Sequence, residues 1–153
     1  MTSWARQLRR LRQLSWSDRS LLAEACLWLA VARLAILILP FRRLAHRLGR
    51  HMEELPEGKA APAQLEQARR VSWAVRAMSR HTPWQSACLA QAIAAKRLLH
   101  VRGVPSTLYM GLAKDESASL QAHAWLRCGD FVVTGGQSRE RYTVVATFGG
   151  GDP

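Results

Sequence analysis

Two stretches decide the fold: SACLAQAIAAKRLLHVRGVPSTLYMGL at residues 86–112 and AHAWLRCGDFVVTGG at residues 122–136. The first opens as a helix and closes as a strand. Thr82-Pro83-Trp84-Gln85, just ahead of it, matches a capping box with proline at the first helical position, and Ser86 offers a later start. Gly103 and then Pro105 are stop signals for that helix. Residues 106–112 alternate like a strand, and residues 114–119 form a polar loop. In the second stretch, residues 121–128 and 131–134 flank Gly129-Asp130, the pattern of a hairpin. Residues 141–148 supply a further strand.

Working upstream, residues 64–80 place Leu65, Ala68, Val71, Val75 and Met78 on one helical stripe, read as core packing. Residues 51–63, HMEELPEGKAAPA, carry two prolines and a glycine and read as a linker. Before them, Ser17 and Asp18 start an apolar helix that Pro40 interrupts, and a shorter helix over 41–48 stops at Gly49. Helices precede a single helix and an antiparallel sheet, so the fold class is α+β. The expected organisation is a basic, hydrophobic helical module over 1–50, a linker over 51–63, a core over 64–148 and a tail over 149–153.

The 153 residues carry a formal charge of +11, but unevenly. Residues 1–50 hold ten arginines against Asp18 and Glu24. The basicity therefore belongs to the N-terminal third, where it suits an anionic membrane surface, an acidic partner or nucleic acid. Nucleic acid is the weakest of these, because the six tryptophans are scattered and form no stacking platform. Residues 21–41 form an apolar run broken by Glu24 and Arg33. A spanning helix wants about 20 apolar residues, and a central charge costs at least about 2.5 kcal/mol. A buried or partner-facing helix is expected, with peripheral membrane contact through residues 20–50 as the alternative.

Cys26, Cys88 and Cys128 are an odd number at unrelated spacings, so neither a disulfide framework nor a zinc ribbon is supported. Free thiols fit a reducing, cytoplasmic setting. His46, His51, His81 and His100 share no metal-ligand spacing, and no glycine-rich phosphate loop occurs, so no cofactor is expected. Cys88 lies near a helix N-terminus, where amides and the macrodipole favour a thiolate. With His123, 35 residues later, it makes a candidate nucleophile and base. By spacing alone, a core thiol and a structural histidine fit as well. Cys26 and Cys128 are assigned to packing.

The two quoted blocks, in this order, resemble the transglutaminase-like cysteine peptidases of lasso peptide biosynthesis. There a cysteine opens a helix ending in an RxGxP-type turn, and a strand leads to an H-A-W motif on a hairpin. The resemblance covers roughly residues 64–148, and the upstream LPFRRLAHRLG is similar to the helical part of the stand-alone form. It implies a transglutaminase-like, papain-like core with Cys88 and His123 as catalytic residues. It also implies the function of removing the leader peptide from a lasso precursor before macrolactam formation. A small leader-recognition protein and an asparagine-synthetase-like cyclase are the implied partners. The family's aspartate, about twelve positions after the histidine, falls here on Gly135. Glu140, Gln137 or a backbone carbonyl is left to orient His123; Asp130 lies roughly 20 Å along the strand. Gln85 could support an oxyanion, although capping is the favoured role.

Overall fold

The computed structural model describes residues 13–56, 58, 60–82 and 87–150. Helix α1 spans Trp16–Ile38, started by Ser15, whose hydroxyl accepts from the Asp18 amide at 3.1 Å. The Ser15 hydroxyl and the Arg70 guanidinium hold the Asp18 carboxyl below the usual carboxylate range. Leu39 is extended, and Pro40 caps α2, Phe41–His46. Strand β1, Arg50–His51, follows. Helix α3, Pro62–Ser79, starts with proline at its first position, where a missing amide costs nothing, and Gln64 accepts from the Ala61 amide at 3.2 Å.

Helix α4 spans Cys88–Val101. It starts later than the Thr82 capping box predicts and nearer the Ser86 alternative, because Thr82 closes the preceding helix instead. Its amide donates to the Met78 carbonyl at 3.1 Å and its hydroxyl to the Ser79 carbonyl at 3.3 Å. Residues Pro83, Trp84 and Gln85 lie outside the described residues. Strands β2 (Thr107–Lys114), β3 (Leu120–Cys128), β4 (Phe131–Thr134) and β5 (Thr143–Gly149) complete the chain, with a 3₁₀ turn at Arg139–Arg141 before β5.

The strands form one antiparallel sheet in the order β1-β5-β2-β3-β4. The α+β expectation is met: α3 and α4 cover one face, and α1 packs on both helices from outside. Strand alternation puts Ala124, Leu126 and Cys128 of β3 in the core under the helices. Helix α4 is buried almost all round, through Ala92, Ala94, Ala95, Leu98 and Leu99. Its Lys96 is buried too, and the ammonium donates to the Ser106 carbonyl at 2.8 Å.

Two segments read separately from the core are bound to it. Leu21, Leu22, Ala25 and Leu29 of α1 belong to the same core as Leu98 and Val71. The segment read as a linker crosses the far face of the sheet as a strap. Met52 donates to the Thr147 carbonyl at 2.7 Å, Leu55 to Thr107 at 3.2 Å, and Gly58 to Asp130 at 3.2 Å. Gly129 makes room for the strap: at φ +55°, a Cβ there would lie 2.5 Å from the Gly58 carbonyl oxygen.

Because α1 is part of one core, Leu29→Ala should destabilise the whole protein by about 2–5 kcal/mol in a single cooperative transition. Urea unfolding followed by circular dichroism and tryptophan fluorescence checks this. Two separate transitions would show that the helical module folds by itself.

Candidate active site

Cys88 is the first residue of α4, and Ala87 before it is extended and offers no side-chain cap. The Cys88 thiol therefore sits at the end of α4 where the amides and the positive end of the helix dipole lie. Cys88 is half-buried, whereas Cys128 is buried in the core, where burial pushes its thiol pKa up. Cys26 lies half-buried in α1. The chain turns from α4 straight into β2, so α4 runs back along the sheet. Its 14 residues span about 21 Å. That length places Cys88 toward the end of the sheet where β3 begins, the end that carries His123.

His123 is half-buried on β3 and faces away from the helices, together with Trp125 and Arg127. Its ring lies 5.9 Å from that of Trp125 and 4.9 Å from that of Tyr142. Opposite it across the ladder is Gly111, where a Cβ would lie 2.8 Å from the Tyr142 Cβ and 3.0 Å from the Trp125 ring. A glycine inside a strand often marks such a close approach. Trp125 stacks on Tyr109 at 5.4 Å, and the Arg127 guanidinium lies 5.3 Å over Tyr109. The file ends at Glu54 of the strap, which accepts from the Tyr109 hydroxyl and, at 3.0 Å, from Arg127.

The bond that orients the imidazole runs from His123 Nε2 to the Gly135 carbonyl oxygen at 2.7 Å. A carbonyl only accepts, so Nε2 carries the hydrogen, and in the neutral ring Nδ1 holds the lone pair. Among the alternatives open in the sequence, the backbone carbonyl occupies the position twelve residues on. Glycine is required there. Gly135 has φ +72°, and a Cβ would lie 2.3 Å from the Ala124 carbonyl oxygen. A bulge between Leu126 and Arg127 shifts the hairpin register just before this point. An aspartate at 135 has no room on this backbone.

The other candidates lie elsewhere. Glu140 is 78% exposed in the 3₁₀ turn and faces Arg139 at 3.8 Å. Gln137 is exposed in the turn before it. Asp130 accepts from the strap. Gln85, as noted, lies outside the described residues. Among the described residues no hydrogen bond joins the Cys88 thiol to His123, and no group of three His, Cys, Asp or Glu side chains is placed to hold a metal ion. The sequence reading missed Tyr142 and Gly111. The available signal was a lone glycine in a β-rich run at the position that pairs with the histidine.

Gly135→Ala should lower stability by about 1–3 kcal/mol, since it adds both left-handed strain and a backbone clash. The His123 ring signals in an NMR spectrum should shift as the carbonyl moves. Unchanged stability and unchanged ring signals would show that the close approach is not needed.

Searches of curated proteins and of solved structures each found no significant match. The model of the Transglutaminase-like superfamily, however, matches residues 35–147, from the end of α1 to β5. That span holds Cys88, His123 and Gly135 and covers most of the chain. The chain belongs to the transglutaminase-like superfamily.

Proposed function

We propose that the protein is a cysteine endopeptidase that removes the leader from a lasso peptide precursor before macrolactam formation. Membership of a superfamily that includes cysteine peptidases supports the reaction class. The two sequence blocks around Cys88 and His123 support the substrate. The observation that carries the reading is the Nε2 bond of His123 to Gly135, because it leaves Nδ1 as the proton acceptor.

The chemistry follows from those atoms. Nδ1 takes the Cys88 proton, and the thiolate attacks the carbonyl carbon at the leader–core junction. The α4 amides receive the developing oxyanion. Collapse breaks the peptide C–N bond, the Nδ1 proton goes to the departing core amine, and the leader stays on sulfur as a thioester. Water, losing a proton to Nδ1, then attacks the thioester, and the thiol leaves with its proton restored. The scheme requires the Cys88 thiol, on the helix-covered side of the sheet, and the His123 imidazole, on the other side, to come into contact in the substrate complex. A neutral carbonyl fixes the ring's tautomer and direction but adds no counter-charge to an imidazolium. In this scheme a small leader-recognition protein delivers the precursor and an asparagine-synthetase-like cyclase consumes the freed core, all in the cytoplasm.

A non-catalytic peptide-binding module in the same complex is the second reading, favoured by the uncharged group behind His123. Incubating precursor, recognition protein and this chain, with leader release followed by mass spectrometry, separates the two. Cys88→Ala should cut release by about a thousandfold or more. Glu140→Gln, far out in solvent, should keep the wild-type rate. Release undiminished in Cys88→Ala would sink the mechanism, and precursor binding with no release by the wild type would establish the module.

A further inference from the structure

Helix α1 buries Leu21, Leu22, Ala25, Leu29 and Ala32 against the protein. The opposite face of a helix at a protein surface is ordinarily polar. Here it carries Trp16, Leu27, Val31, Leu34 and Ile38, between 41% and 83% exposed. At 100° per residue these five lie within a strip about 60° wide, along a helix of about 34 Å. Both acids of α1 are tied back to the protein by arginines. Asp18 pairs with Arg70 at 3.1 Å and Glu24 with Arg102 at 2.8 Å.

Along the chain, the charge before and after the strip has one sign. Residues 25–52 contain five arginines and no Asp or Glu, and residues 1–13 contain four arginines and no acid. Arg42, Arg43, Arg47 and Arg50 are exposed where the chain leaves α1, next to the exposed Phe41. A cavity of about 930 Å³ opens beside the strip, walled by Trp28, Val31 and Leu39 and by Arg47, Arg97 and His100. None of its lining residues is acidic.

We propose that α1 and the arginines after it dock this protein on an anionic phospholipid bilayer, with α1 lying in the plane of the interface. The helix is long and apolar enough to cross a membrane, but its inner face is part of the core. A span would strip Leu29 and Ala25 from that core, whereas a helix lying flat keeps both faces covered. Arg42, Arg43, Arg47 and Arg50, exposed where the chain leaves the strip, reach the same leaflet, which suits a flat helix and lipid phosphates. The proposal stands apart from the peptidase reading, and its test uses no catalytic readout.

The full-length protein should float with vesicles of phosphatidylcholine and phosphatidylglycerol, and not with phosphatidylcholine alone. The paired substitutions Leu27→Gln with Leu34→Gln should weaken that binding about tenfold or more, as should Arg42→Glu with Arg43→Glu. Both pairs alter exposed side chains, and their thermal unfolding should match the wild type. Glu116→Gln, in the loop between β2 and β3, should bind as the wild type. Absence of flotation with the anionic vesicles, or equal flotation by the Leu27/Leu34 variant, would overturn the proposal. So would sedimentation of the wild type as a dimer that the same substitutions convert to a monomer, which would assign the strip to a second copy of this chain.

Discussion

Everything in this fold leans on helix α4, which lies between the sheet on one side and α1 and α3 on the other. A helix covered on nearly all sides cannot present long side chains everywhere, because neighbouring backbones must come close. Ala90, Ala92, Ala94 and Ala95 are completely buried and give that approach, while Leu98 and Leu99 fill the wider spaces. The buried Lys96 of this helix is tolerated because its ammonium reaches carbonyl oxygens at the edge of the sheet. The same burial fixes where the helix begins. Cys88, half-buried, takes the first position of this largely enclosed element.

The second constraint is the close approach at Gly135. A carboxylate behind the imidazole would orient the ring and balance its positive charge. The carbonyl does the first and not the second. The cost of this arrangement is conformational: a positive φ and a contact that no Cβ could share. The histidine is then confined by Trp125 and Tyr142, which close over Gly111. Orientation that a side chain would supply comes instead from backbone shape and aromatic packing. The strap from residue 52 onward secures the far end of that aromatic file through Glu54.

Helix α1 joins two demands that a soluble helix seldom combines. Its inner face completes the core over α3 and α4, and its outer face is just as apolar. The opening charge of +11 takes on meaning from that geometry. Arg42, Arg43, Arg47 and Arg50 are exposed where the chain leaves that apolar strip, so on the proposal made above the charge belongs to a docking face.

The sequence by itself determined the element types, because periodicity, Gly103 and Pro105, and the Gly129-Asp130 turn are local signals. It also singled out Cys88 and His123, through residue type and motif order. It located the position behind the imidazole, since twelve residues from His123 is a count along one hairpin. What stands at that position was beyond it. A backbone carbonyl has no letter in the sequence, and its direction depends on the bulge at Leu126 and on the contact with Ala124. The later start of α4 was likewise hidden, because Thr82 could cap one helix or close another, and only packing chose. A proline-rich stretch that reads as a linker became a strap through bonds to Thr107, Asp130 and Thr147, partners 52 to 95 residues away in the chain. Tertiary structure decided these points because each is a contact between distant segments, and such contacts leave no periodic trace in either one.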